Sequence, residues 1–144
     1  MIKIICVGKI KESYLRDAIS DYQKRINKYH KFEIIEVNDS NMKDEAIKIL
    51  HYVKDNDYVV TLEIDGDMLS STEFANKIDK LFITNSNITF IIGGSDGLDD
   101  EVKNRSNYRL SFSSFTFPHQ FFRVILLEQI YRCFKILNNE TYHK

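Results

Sequence analysis

Two cysteines, four histidines and a single proline are all that the 144 residues hold of those types, and each scarcity excludes something. Cys6 and Cys133 sit in apolar runs and match no CxxC or Cys/His spacing, so they read as buried, reduced thiols rather than a disulfide framework or a metal site. His30, His51, His119 and His143 are scattered without an HxxxH pair, so no metal is expected. No run of about 18 apolar residues exists to span a membrane. The start, "MIKIICVGK", lacks the apolar stretch and small-residue cleavage site of a secretory signal and reads as a first strand, which predicts a cytoplasmic protein. Repeats, linkers and low-complexity stretches are also missing. With 43% hydrophobic and 28% charged residues, the chain predicts one globular domain over 1–144.

Charge of one sign is scarce only in net terms. The formal charge of −1 hides a pattern: residues 1–31 carry eight Lys/Arg against three acids, residues 32–101 five against sixteen, and residues 102–144 seven against two. Basic ends around an acidic middle point to a polyanion met by one face of the fold, or else to an uneven solvated surface.

Five apolar, β-rich runs alternate with helical patterns. The runs are 2–8, 32–37, 58–64, 88–94 and 108–113, and the helices between them cover about 12–29, 42–53, 71–82 and a short stretch after "SDGLDD". The inward residues are predicted as Leu15, Ile19, Tyr22 and Ile26 in the first helix, Ile47, Leu50 and Val53 in the second, and Phe74, Ile78 and Leu81 or Phe82 in the third. "NDSN" and the Ser70/Glu73 spacing supply caps, and "DGD" reads as a turn ending the third strand. Such alternation predicts an α/β fold with a mostly parallel sheet of five to six strands flanked by helices.

In such sheets ligands bind beyond the carboxyl ends of the strands, which singles out "EIDGDML", "GGSDGL" and "SSFTFPH". "GGSDG" is neither a GxGxxG fingerprint nor a phosphate loop, and reads equally as a tight turn into a helix. Ser111, Ser113 and Ser114 cluster without a GxSxG elbow, which argues against an acyl hydrolase. His119, at a helix start, reads as a neutral imidazole or as a structural strut.

The last helix, 118–137, opens on Pro118 at a favoured first position. Its charged residues Glu128, Arg132 and Lys135 form one narrow stripe, and the remainder is largely apolar. One apolar face can cover the sheet. The other predicts a homodimer through this helix.

"FIIGGSDGL", "LSFSSFTFPHQFFRVILLEQIYRCFKI" and the terminal "YHK", with "IKIICVGKIKESY" and "TLEIDGDMLSS", resemble the H-type large-subunit ribosomal RNA methyltransferases of the SPOUT class over nearly the whole chain. The resemblance implies an S-adenosylmethionine-dependent, homodimeric enzyme with a C-terminal trefoil knot. It implies methylation of N3 of a pseudouridine in 23S rRNA within the ribosome. It further implies cofactor binding at Leu62, Gly93, Phe112, Ser113, Ser114, Phe115, Thr116 and Phe117. The segment between Val37 and Asp57 is shorter than in family members, so an RNA contact made there does not carry over. Ser114 stands where many relatives have a larger residue.

Methyl transfer to an imide nitrogen needs alignment and loss of the imide proton. The candidates are His143 and Tyr142, with Arg123 or Lys144 stabilising the imide anion, and His119 behind them. A flavodoxin-like nucleotide-binding protein and a noncatalytic ribosome-binding factor share the α/β pattern or the basic ends and stand as rival readings.

Overall fold

Parallel strands cannot be joined by tight turns; each needs a crossover, and the crossovers cover both sheet faces. The computed structural model, which describes residues 1–144, follows that rule throughout. Strands β1 (Ile2–Val7), β2 (Phe32–Val37), β3 (Tyr58–Met68), β4 (Ile88–Ile92) and β5 (Tyr108–Ser111) form one five-stranded sheet in the order β2-β1-β4-β3-β5. Every pair is parallel. Helices α1 (Ser13–Asn27), α2 (Met42–His51), α3 (Ser71–Thr84) and α4 (Asp100–Arg105) make the connections, and α5 (His119–Leu137) follows β5. No helix is long and apolar enough to cross a membrane.

Successive residues of a strand point to opposite faces, so the two cores separate cleanly. Ile4, Phe90 and Val60 meet Ile26 of α1, Phe74 and Ile78 of α3, and Leu126, Leu127 and Ile130 of α5. Ile5, Ile91 and Val59 meet Ala46 and Ile49 of α2 and Leu98 and Val102 around α4. The predicted caps are in place: Asn41 accepts from the Asp44 amide, and Ser70 and Glu73 form a reciprocal capping box. Cys6 and Cys133 are free and buried, and burial pushes both thiols up to about 12.

Four expectations are corrected. In α2 the buried residues are Glu45, Ala46 and Ile49, and the predicted Leu50 and Val53 pack partly buried beside them, while Ile47 is 65% exposed. Ala46, Ile49, Leu50 and Val53 form the apolar stripe at helical spacing, and the Glu45 carboxylate accepts from the Ser40 amide at 2.9 Å beside it. "DGD" does not end β3. The strand continues through an irregularity between Leu62 and Asp67, both of which face Leu110. Gly66 permits this, since a Cβ there would lie 2.7 Å from the Arg109 carbonyl carbon and oxygen. β4 and β5 stop two residues earlier than predicted, and Pro118 is the residue before α5 rather than its first turn. Helix α5 runs between α1 and α3 and packs against both. Phe121, at its start, stays 45% exposed.

The amino edge of the sheet is closed by a buried ion pair. Lys3 Nζ lies 3.3 Å from Asp57 Oδ2 and donates to the Tyr52 carbonyl at 2.8 Å. The same Asp57 oxygen accepts from the Lys54 amide and the Thr89 hydroxyl. Burial pushes the Asp57 carboxyl up, but the Lys54 amide, the Lys3 ammonium and the Thr89 hydroxyl together outweigh it and hold it below the ordinary range. Its stabilising contribution is therefore complete above the ordinary carboxylate range and is lost as pH falls through the depressed value. Replacing Asp57 with Ala leaves the Lys3 ammonium buried without a counter-charge, and urea unfolding at neutral pH should show a loss of about 3–5 kcal/mol. A loss below about 1 kcal/mol would show that water reaches Lys3 and that the edge is not sealed.

Candidate active site

The opposite edge is open. Between the carboxyl ends of β3, β4 and β5 and the start of α5 lies a cavity of about 420 Å³. Its walls include Leu62, Gly93, Phe112, Ser113, Phe115, Thr116 and Phe117, so seven of the eight positions singled out for a cofactor converge on one space. Ser114 belongs to the same loop but does not line it.

Each wall has a local cause. After β4 the chain turns through Gly93–Leu98: the Gly97 amide donates to the Gly94 carbonyl at 3.1 Å, and Gly97 takes φ +83°, a region that favours glycine. A Cβ on Gly93 would sit 2.8 Å from the Gly97 carbonyl oxygen, so the turn closes only around a glycine. Asp99 then caps α4. After β5, the serines that resembled a nucleophile cluster shape the backbone instead. Ser111 Oγ donates to the Ser113 carbonyl, and Ser113 Oγ accepts from the Phe115 amide at 3.0 Å. Phe112 and Phe117 pack on Phe122 of α5, and Phe115 is left 80% exposed at the rim.

Three further lining residues, Glu63, Asp65 and Asp96, lie in the predicted loops but were not singled out there individually. Glu63 follows Leu62 and is nearly buried, accepting from Thr61 Oγ1 at 2.7 Å and facing Lys103 at 3.8 Å and Arg109 at 3.5 Å. It thereby ties β3 to α4 and β5, the elements beside the other two loops. Asp65 and Asp96 add carboxylates to the same wall. The signal for Glu63 was its place at the head of "EIDGDML", at the carboxyl end of a parallel strand. His119 also lines the cavity.

The proton-handling candidates are elsewhere. Arg123 is 1% exposed and points away from the cavity, bonded to Glu36 at 2.6 Å and to the carbonyls of Val7 and Gly8. This corrects the expectation that its charge acts on a bound substrate: in this fold it is a buried tie. Tyr142 and His143 lie against the far end of α5. The Tyr142 hydroxyl donates to Glu128 at 3.1 Å, its ring stands edge-on to Tyr131, and His143 Nδ1 is 3.0 Å from Arg132. An arginine nitrogen only donates, so Nδ1 accepts. From Phe122 at the cavity to Arg132 is ten residues, about 15 Å of helix axis. Within one chain the tail and the cavity are therefore apart. Lys144 is exposed at the terminus.

With this geometry established, the class of protein follows from comparison with known families. A sequence profile described as "Predicted SPOUT methyltransferase" matches residues 1–143. Two solved structures share the fold over nearly the whole chain. A probable methylase family protein from Haemophilus influenzae Rd KW20 has a TM-score of 0.59 at 13% identity, covering 99% of this chain and 70% of that one. The SpoU methyltransferase AviRb from Streptomyces viridochromogenes has a TM-score of 0.53 at 10% identity, covering 98% and 62%. More specific are proteins named Ribosomal RNA large subunit methyltransferase H. Those of Clostridium novyi and Clostridium botulinum (strain Alaska E43) are 53% and 52% identical, each over 99% of both chains. The chain belongs to the SPOUT methyltransferases and, within them, to the large-subunit ribosomal RNA methyltransferase H family. That membership favours an enzyme over a flavodoxin-like or noncatalytic reading. The alignments run over 157 positions, so at least a dozen have no counterpart among the 144 residues here.

The two loop glycines make separable predictions. Gly97→Ala should cost about 1–2 kcal/mol, because only its backbone conformation is strained, and Gly97→Asn should cost less. Gly93→Ala should cost about 1–3 kcal/mol, because the Gly97 backbone must move, and Asn should be no better. Denaturant unfolding of the four variants checks this; equal effects of Ala and Asn at Gly97 would contradict it.

Proposed function

We propose that this single 144-residue domain is an S-adenosylmethionine-dependent methyltransferase acting on N3 of a pseudouridine in 23S rRNA of the assembled ribosome, in the cytoplasm. The observation that carries the reading is the convergence of Leu62, Gly93 and the 112–117 loop on one cavity. Family membership supports the reaction class and, with it, the C-terminal trefoil knot.

The cavity suits the cofactor in size and chemistry. About 420 Å³ falls within the range of small-molecule sites. Leu62, Leu98, Leu110, Phe112 and Phe117 would take the flat adenine, the glycine-rich turn lets backbone groups come close, and Glu63, Asp65 and Asp96 suit hydroxyls and positive charge. When bound, the cofactor supplies a methyl group on a positively charged sulfur. The chain's own task is to hold the acceptor nitrogen in line with that methyl, exclude water and remove the imide proton.

His143 is the favoured base. Tyr142 is a poor one, because burial and then its bond to Glu128 push the phenol up to about 12. In its resting contact His143 spends an accepting nitrogen on Arg132, so work at a cavity requires the tail to leave that arginine. There the imidazole would take the N3 proton and leave the nitrogen lone pair free for the methyl group that the cofactor would supply. The 15 Å separation within one chain is bridged if the cavity is completed by the tail of a second copy, which supports a homodimer. The exposed Tyr14, Phe121 and Phe115, around the starts of α1 and α5 and the cavity rim, supply apolar surface for it.

Calorimetry should detect S-adenosylmethionine binding to the wild type, lost in Gly93→Val, whose side chain displaces the turn. Unchanged affinity in the folded variant would remove the cofactor from this cavity. Sedimentation should give twice the 17.0 kDa chain mass, and a monomer would end the shared-site account. Deleting 141–144 removes the Tyr142 packing and should lower stability by only about 1 kcal/mol. Methyl transfer to ribosomes should nevertheless fall by orders of magnitude, with His143→Ala reproducing much of the loss. Full transfer by the truncated protein would exclude the tail from catalysis.

A further inference from the structure

The loop between β1 and α1, residues 8–11, is held far more firmly than a short surface connection requires. Arg123 NH2 donates to the carbonyls of Val7 at 3.4 Å and Gly8 at 3.1 Å. Arg16 NH1 donates to those of Ile10 at 3.4 Å and Lys11 at 2.9 Å. The Ile10 amide donates to Glu36, which also pairs with Arg123, and the Ile10 side chain is buried as an anchor. Gly8 takes φ +91° and donates its amide to the Val37 carbonyl at 2.8 Å. Surface loops usually leave such carbonyls to water. Here two guanidinium groups hold three of them and the carbonyl of Val7 at the end of β1.

What the scaffold presents is two charges. Lys9 and Lys11 are exposed and take part in none of the seven ion pairs. The carboxylates near them are Asp39, beside Gly8, Glu36, which holds the Ile10 amide and pairs with Arg123, and Glu12, next in the chain. The loop also stands at the working edge of the sheet. β1 pairs with β4 in the register Cys6↔Ile92, so Gly8 lies beside the turn that walls the cavity, and a Cβ on Gly94 would be 3.2 Å from Val7. On its other side, Glu12 and Leu15 share a small pocket with His119, which lines the main cavity.

We propose that residues 8–11 form a rigid clamp whose Lys9 and Lys11 ammonium groups contact backbone phosphates of the RNA substrate, with Arg16 and Arg123 as positioning residues behind it. This rests on the rRNA reading above. Fixed placement matters because a phosphate contact carries no sequence information but sets the register in which the target nucleotide meets the cavity.

The test compares wild type, Lys9→Ala/Lys11→Ala and a control, Lys24→Ala/Lys28→Ala, which removes the same charge from the far end of α1. Binding to ribosomes from cells lacking the enzyme is measured by co-sedimentation across a salt series, alongside methyl transfer and S-adenosylmethionine affinity. The loop variant should bind about tenfold or more weakly at moderate salt. Its log affinity against log salt should be shallower by about 0.7–0.9 per lysine. KM for ribosomes should rise, while cofactor affinity and the control's binding remain at wild-type values. Wild-type binding and an unchanged slope in the loop variant would overturn the proposal, as would an equal effect in the control. Ribosome binding without methyl transfer in the wild type would refute the rRNA-methylation reading while the lysine comparison still stood; no ribosome binding by the wild type would overturn both.

Discussion

Because all five strands run parallel, every carboxyl end leaves the sheet on one edge and every amino end on the other. The two edges then meet different fates. The amino edge is sealed: Lys3 and Asp57 neutralise one another, and Arg105 donates to the carbonyls of Lys54 and Asp57. The carboxyl edge carries glycine-rich and serine-rich loops that cannot close over one another, and the gap between them is the cavity. The site is thus a consequence of strand direction before it is a consequence of any particular side chain.

Charged side chains fix the loops around that gap. Glu63 gathers Thr61, Lys103 and Arg109, so β3, α4 and β5 cannot drift apart without separating charges in a partly dry setting. Arg123 does the same for the loop after β1. Isolated surface pairs add little to stability. These are different in kind, since each joins backbone segments distant in sequence, and their effect is to restrict geometry at the cavity rim.

The tail behaves unlike a frayed terminus. Glu128 and Arg132 of α5 and the ring of Tyr131 form a dock for Tyr142 and His143, and Glu140 is held by Lys135 at 2.9 Å and Tyr29 at 2.8 Å. The charged stripe legible on the last helix is therefore a docking strip. Tyr142 also packs its ring against Tyr131, so the dock combines an aromatic contact with the polar ones.

Much of this was legible in the residues. Uniformly apolar β-branched runs such as "ITFII" can only be central parallel strands, and capping patterns such as Ser70 with Glu73 mark helix starts, because both are local chemistry. The three loops around the cavity followed from strand direction, and the positions expected to bind a cofactor from resemblance. What the residues could not reveal depended on partners distant in the chain. Nothing in "HQFFRV" says that Arg123 turns toward Glu36, 87 residues away, rather than toward a substrate. Ile47 looked inward by helical spacing, but the packed face of α2 runs through Ala46, Ile49 and Leu50, and "DGD" looked like a turn until Gly66 met the backbone of β5. Periodicity records which residues can share a face; only packing decides which face is buried, and which charges find each other there.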